Sequence, residues 1–233
     1  MKKILFLLFI LLSLKLSAQF RIDRVKVGIL SGYDYYKQEE LSDLNQNVKD
    51  QLPFTVNTID NFKPVSYFGL YTQYEINDHL FFGPIYEYHY SGSRIGAKDY
   101  SGTFSFDQYL STHQVGLKMD YSIVSINRII LDVGANFGIN FTKWKTISDF
   151  ELGNNGEYVE YEKREFYGTS WHFSPSIKFG YRFIRSIYLF GSLNYSFDFS
   201  EEYHLKGNHV IEPSTTPSWE GLNASLILEF YLK

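Results

Sequence analysis

The chain has 233 residues, 22 Lys and Arg against 26 Asp and Glu, 20 Tyr, 21 Phe and no cysteine. The missing cysteines exclude a disulfide framework, a thiolate metal site and a lipoprotein anchor, and the acidic balance argues against a nucleic-acid partner. This many aromatic strand formers beside abundant Gly, Ser and Asn, at a negative mean hydropathy, point to strands with two unlike faces.

The first residues read Met1, Lys2, Lys3, then an apolar run over 4–14, then Lys15 and Leu16-Ser17-Ala18 before Gln19. This is the layout of a secretory signal peptide cut after Ala18. The apolar run is too short for the roughly 20 residues of a spanning helix. Residues 1–18 are therefore read as a leader and residues 19–233 as one all-β domain. Without Lys2, Lys3 and Lys15 the domain keeps 19 basic residues against 26 acidic ones, a net charge of −7.

Period-two alternation marks eight strands, in chain order 24–36, 65–76, 80–90, 109–121, 129–141, 171–183, 187–199 and 222–233. The clearest is 129–141, where Ile129, Leu131, Val133, Ala135, Phe137, Ile139 and Phe141 alternate with mostly polar or glycine positions. No stretch carries a convincing helical stripe, and 39–51 is expected to hold at most one short helical turn within a loop. Pro84 and Pro175 each remove a ladder hydrogen bond, so bulges or local breaks are expected there.

The connections alternate in length. Those near 77–79, 125–127 and 184–186 are short, whereas 37–63, 91–107, 144–168 and 200–218 are long and polar. Gly153-Asn154-Asn155-Gly156 reads as the turn at the tip of an extended hairpin. Short turns on one rim and long loops on the other predict an eight-stranded antiparallel up-and-down transmembrane β-barrel, with both termini on the short-turn side.

A soluble barrel also alternates, so the composition of the two faces must decide. The polar face holds Gly28, Gly32, Gly116, Gly134, Gly138 and Gly180 among Ser and Asn, which suits a narrow interior, while Phe, Leu, Ile and Tyr crowd the other face. Trp144, Trp171 and Trp219 stand where strands meet long loops, with Tyr33, Tyr35 and Tyr90 at similar heights. Tyr74, Tyr121, Phe183 and Phe230 or Tyr231 stand near the opposite rim. Two aromatic girdles are predicted from these positions.

The leader, the loop alternation and the closing segment Leu226-Ile227-Leu228-Glu229-Phe230-Tyr231-Leu232-Lys233 resemble the small outer-membrane β-barrel proteins of Gram-negative bacteria, of the OmpA-barrel and OmpX type. The resemblance covers the mature chain. It implies an outer-membrane location, contact with outer-membrane lipid and lipopolysaccharide, and a closing strand read by the barrel-assembly machinery. Such proteins commonly end on an aromatic residue, whereas here Lys233 follows Phe230 and Tyr231.

Inward positions include Lys26, Glu87, His89, Lys118, Asp120, Asp132, Lys178, Arg182 and Glu229. Buried charges must be paired, so Asp132 is expected to meet Lys118 and Lys178, and Glu229 to meet Lys26. Eight strands leave an interior just wide enough for side chains, which favours a salt-bridged plug over a narrow pore. An enzymatic alternative rests on His172 and Ser174, two apart on one face as a base and nucleophile require. Their spacing resembles the His-x-Ser pair of lipid A deacylase barrels, which would make the chain a lipid A acyl-modifying enzyme. The phase points both into the lumen, away from lipid. No histidine has ligand spacing, so no metal site and no cofactor are expected. The expected role is that of a non-enzymatic barrel that contributes to outer-membrane integrity or presents its long loops, such as the acidic stretch 145–168, for adhesion or for binding an extracellular ligand.

Overall fold

The computed structural model describes residues 24–153, 158–208 and 213–232. The leader 1–18, Lys233 and the Asn154-Asn155-Gly156 tip lie outside the described residues. Among the described residues nine strands and one helix follow in chain order: β1 Val25–Tyr36, α1 Glu39–Gln51, β2 Asn57–Asn61, β3 Val65–Asn77, β4 Leu80–Lys98, β5 Gly102–Ile126, β6 Ile129–Leu152, β7 Tyr158–Ile184, β8 Ile187–Leu205 and β9 Gly221–Tyr231. Leaving out β2, each strand pairs antiparallel with its predecessor, and β9 returns to β1 from Lys26↔Tyr231 to Tyr36↔Gly221. The result is a closed eight-stranded antiparallel meander, in which every barrel strand has two neighbours.

Three tight turns, at residues 78–79, 127–128 and 185–186, join strands on one rim. Asn77 Oδ1 accepts from the backbone N–H of His79 and Leu80 at 3.0 and 2.9 Å, closing the first. Asn127 takes a left-handed φ of 56° in the second, a conformation its short polar side chain tolerates.

The other rim differs from the sequence expectation. The stretches 91–107 and 144–168 are mostly continuations of β4, β5, β6 and β7, so two tall hairpins stand above the barrel instead of irregular loops. The short strand β2 adds to β4 at this level. Asp99 turns the β4–β5 hairpin, its Oδ1 accepting from Ser101 N and Oγ at 2.8 and 2.7 Å.

The segment 39–51 is a 13-residue helix rather than a single turn. Leu41, Leu44 and Val48 form its inner stripe, and Asn45 interrupts that stripe with polar contacts inward, which is why the sequence pattern looked weak. The helix lies over the barrel mouth, with Leu41 fully buried.

The two prolines leave local breaks without bulges. Along β4 and β3 the register Tyr71↔Ile85 resumes unshifted at Tyr74↔Phe82, skipping Gly83 and Pro84. Along β7 and β8, Phe173↔Phe197 resumes at Ser176↔Asn194, skipping Ser174 and Pro175. Each proline keeps its pairing on the other flank, Pro84 with Leu117 and Pro175 with Ala135.

The inward glycines make room for rings. A Cβ at Gly28 would fall 2.2 Å from Tyr71 Cζ, and one at Gly180 would fall 2.3 Å from Phe190 Cδ1. Aromatic side chains from neighbouring strands thus lie flat against bare backbone, which is how a narrow interior accommodates them.

Candidate functional site

The lumen is filled at three levels. At the short-turn end, Lys178 Nζ lies 2.9 Å from Asp120 Oδ2, 2.9 Å from Glu229 Oε1 and 3.3 Å from Asp132 Oδ2. Lys26 Nζ reaches Glu229 Oε2 at 3.3 Å and Asp120 Oδ2 at 3.8 Å. Lys118 turns to Asp120 Oδ1 at 3.3 Å, two residues along its own strand, and to Asn136 Oδ1 at 3.3 Å rather than to Asp132. Asp132 accepts from Ser122 Oγ at 2.7 Å, and Tyr71 Oη donates to Glu229. All six charged side chains are buried.

Rings complete the cage. Lys26 Nζ stands 4.0 Å from the Phe81 ring centre and Lys178 Nζ 4.6 Å from that of Phe190, distances at which a cation is attracted to the ring face. Asp120 is the hub, touched by all three lysines. The alternation of the sequence places it inward without marking it as the centre. The available signal was Gly134, opposite Asp120 in register, where a side chain would collide with Asp120 Oδ1.

Arg182 is not in this network. It shares the inward phase of Lys178 but sits at the rim, half-buried, and its guanidinium donates to the Asn127 carbonyl of the neighbouring turn.

The middle level is polar. His89 Nδ1 lies 2.5 Å from Asp34 Oδ2 and 3.0 Å from Tyr36 Oη, and Asn223 Nδ2 donates to Asp34 Oδ1 at 2.8 Å. The His89 ring stacks on Tyr67 with centres 4.5 Å apart. Glu87 is buried beside this group.

His172 and Ser174 both face the lumen and are buried. The Ser174 hydroxyl lies 2.8 Å from Ser196 Oγ, and His172 Nδ1 has no hydrogen-bond partner. Asp198, opposite His172 in register, accepts from Trp219 N at 2.8 Å and Asn140 Nδ2 at 3.2 Å. The arrangement lacks the hydrogen-bonded base and nucleophile that acyl transfer needs. Among the described residues no group of three or more His, Cys, Asp or Glu side chains is placed to hold a metal ion.

The upper level corrects the girdle. Trp144 and Trp219 point inward, not toward the outside. Trp219 Nε1 donates to Thr142 Oγ1 at 2.8 Å, and Trp144 Nε1 donates to Gln108 Oε1 at 3.1 Å. Trp144 stacks on Phe166, Tyr36 meets Trp219 edge-on, and Leu41 of α1 closes the cluster from above. Gln108 Nε2 ties the helix down by donating to Leu41 O at 3.1 Å and Asn45 Oδ1 at 2.8 Å.

The signal was in the phase of the alternation. Trp144 shares even parity with the inward Asp132, Asn136 and Asn140, and Trp219 shares odd parity with Asn223 and Glu229. Of the named girdle residues, Trp171 and Tyr121 are exposed on the outer face, and Tyr74 is half-buried there.

In variants that each retain one tryptophan, brominated acyl chains should therefore quench Trp171 strongly and leave Trp144 and Trp219 nearly unquenched. Equal quenching of all three would contradict the inward placement.

Outside the barrel, above the apolar belt, Glu165 accepts from Lys163 Nζ at 2.9 Å and Lys206 Nζ at 3.1 Å, with Lys143 Nζ at 3.5 Å. Hydrogen bonds from Lys163 and Lys206 hold the Glu165 carboxyl down at about 2. On the other side of the same hairpin a recess of about 640 Å³ runs beside α1, lined by Val48, Trp144, Glu162, Arg164, Phe166 and Thr215 among others.

No protein-family model matches the chain, and no curated protein matches it. Among solved structures the chain is similar to Ail, the attachment invasion locus protein of Yersinia pestis, at 14% identity and a TM-score of 0.38, over 89% of this chain and 96% of that one. Ail has also been solved in complex with the heparin analogue sucrose octasulfate. The chain is similar to CarO of Acinetobacter baumannii at 12% identity and a TM-score of 0.33, over 76% of this chain and 96% of that one. The strand pairing by itself defines the fold as an all-β, closed, eight-stranded antiparallel barrel with a filled interior.

Proposed function

We propose that the protein is exported, cut after Ala18 and inserted into the outer membrane of a Gram-negative bacterium. There it serves as a plugged, non-enzymatic barrel whose tall extensions bind an extracellular ligand or mediate adhesion. One observation carries the membrane placement: the barrel is inside out. Leu226, Phe179, Ile29 and Phe137 are half or more exposed on its outer face, whereas Lys178, Asp120 and Glu229 are fully buried. A soluble monomer rarely exposes a contiguous apolar patch beyond about 300–600 Å². A belt running round the whole barrel suits hydrocarbon, and a polar lumen closed to lipid suits the same setting.

The non-pore reading is supported by the three filled levels and by α1 over the mouth. The non-enzyme reading is supported by the lumenal, disconnected His172 and Ser174. Binding is assigned to the extensions because the rigid barrel holds them clear of the membrane. Lipopolysaccharide and the barrel-assembly machinery are the partners this placement brings.

The test is a semi-native gel with planar-bilayer recording. The refolded chain should require detergent, migrate as a compact band that shifts on boiling, and give no steady conductance. A detergent-free soluble protein would refute the membrane reading, and a stable ion-selective current would replace the plug with a pore.

A further inference from the structure

The outer wall is not electrically uniform at the height where the apolar belt ends. On β6 the outward side chains run Phe137, Ile139, Phe141, Lys143 and Lys145, so the character changes from aromatic to cationic within one pair of positions. At about 3.3 Å per residue, Lys143 stands roughly 7 Å above Phe141. Lys145 is flanked in register by Tyr109 and Glu165, and Lys143 by Ser111 and Tyr167. Lys163 and Lys206 join Lys143 on Glu165.

Three ammonium groups thus share one carboxylate, and Lys145 stands beside it in register. Two of the four lysines lie over aromatic rings, Lys143 Nζ 5.5 Å from the centre of Tyr167 and Lys145 Nζ 5.3 Å from that of Tyr109. The next carboxylate toward the belt is Glu202, opposite Thr169. The facing wall is different. Lys37 is matched by Glu220 at 3.8 Å and Lys63 by Asp60 at 3.3 Å, so no cationic excess forms there.

Directly below the lysines lies an aromatic raft. Phe137 and Trp171 stack with centres 5.5 Å apart, and Phe141, Phe173, Phe197 and Phe199 are exposed around them. A patch that joins a cationic shelf to an aromatic raft complements one kind of molecule in that leaflet: a lipid with a polyanionic sugar headgroup and several acyl chains.

We infer that the β5–β8 wall is a docking site for a phosphorylated glycolipid of the lipid A class. Lys143 and Lys145 clasp a phosphate, Lys163 and Lys206 extend the shelf, and acyl chains lie on the Trp171–Phe137 raft. The inference rests on the outer-membrane reading and adds which face meets the lipid and by what chemistry. Glu165 holds the amines in place and competes with the phosphate for them.

The experiment uses the refolded mature chain in micelles, with native mass spectrometry reading the fraction bound to bisphosphorylated lipid A. K143Q/K145Q should weaken retention by at least about tenfold. K37Q/K63Q, on the facing wall, should leave it unchanged, and E165Q should strengthen it. Dephosphorylated lipid A should bind the unaltered chain no better than lipid A binds K143Q/K145Q. Inorganic phosphate at the same concentration should displace nothing.

Equal retention by the unaltered chain and K143Q/K145Q, or indifference to the lipid's phosphates, overturns the site. Displacement by inorganic phosphate overturns the lipid assignment in favour of free phosphate. A chain without a heat-shifted band overturns the membrane reading together with this one. A heat-shifted barrel with no phosphate preference overturns this one alone.

Discussion

Lys178→Met should lower the unfolding free energy of the barrel in micelles by about 3–5 kcal/mol, the cost of removing one partner from a buried ion cluster. Lys178 contacts Asp120, Asp132 and Glu229 at once, all within 3.3 Å. Methionine fills similar space but leaves three buried carboxylates facing two buried lysines. Adding Glu229→Gln to Lys178→Met should recover part of the loss, because the double change removes charge of both signs. Arg182→Met, at the half-buried rim, should cost no more than about 1 kcal/mol. Urea titration followed by the heat-sensitive gel band measures all of these. A Lys178→Met barrel as stable as the parent would mean that the cluster contributes nothing to stability.

Trp219→Ala should cost a similar amount, about 3–5 kcal/mol, through the cavity it leaves. Trp219 has no exposed surface, meets Tyr36 edge-on and donates to Thr142 Oγ1. Its loss also removes the floor on which Leu41 of α1 rests, so protease cleavage within 39–51 should become faster. Trp219→Phe keeps most of the packing and loses the hydrogen bond, for about 1 kcal/mol or somewhat more. A Trp219→Ala variant within about 0.5 kcal/mol of the parent, with α1 equally protected, would show that the cluster does not hold the helix down.

The barrel was legible because its wall has two environments, so period two survives along 129–141 and 171–183. The tops of the strands were not legible, because polar residues dominate them and their few apolar side chains, such as Ile95, Phe104 and Phe150, pack in a separate cluster around Val56. The stretches 102–107 and 158–165 accordingly read as polar loops, although they pair as regularly as the wall. Helix α1 was hidden by Asn45, a polar residue at an inward position that bonds Gln108 and Ser93.

The inward charges were legible as a set but not as a wiring diagram. Which lysine meets which acid depends on reach across the lumen, as Lys26 on β1 reaching Asp120 on β5 illustrates. Trp144 and Trp219 were misplaced for another reason. Their residue type suggested an interfacial belt, while their parity already pointed inward. At a strand end, parity is the better guide.

The charge cluster draws its members from the first strand, Lys26, and the last, Glu229, as well as from β5, β6 and β7. Until the seam between β1 and β9 closes, Lys26 and Glu229 lack one another and the cluster is incomplete. An unsealed sheet entering hydrocarbon would carry unmatched charge on its two open edges, a state costlier than the finished ring. The cluster therefore acts as a clasp whose outermost members lie at opposite ends of the polypeptide, and completing the cluster and sealing the ring become a single cooperative event.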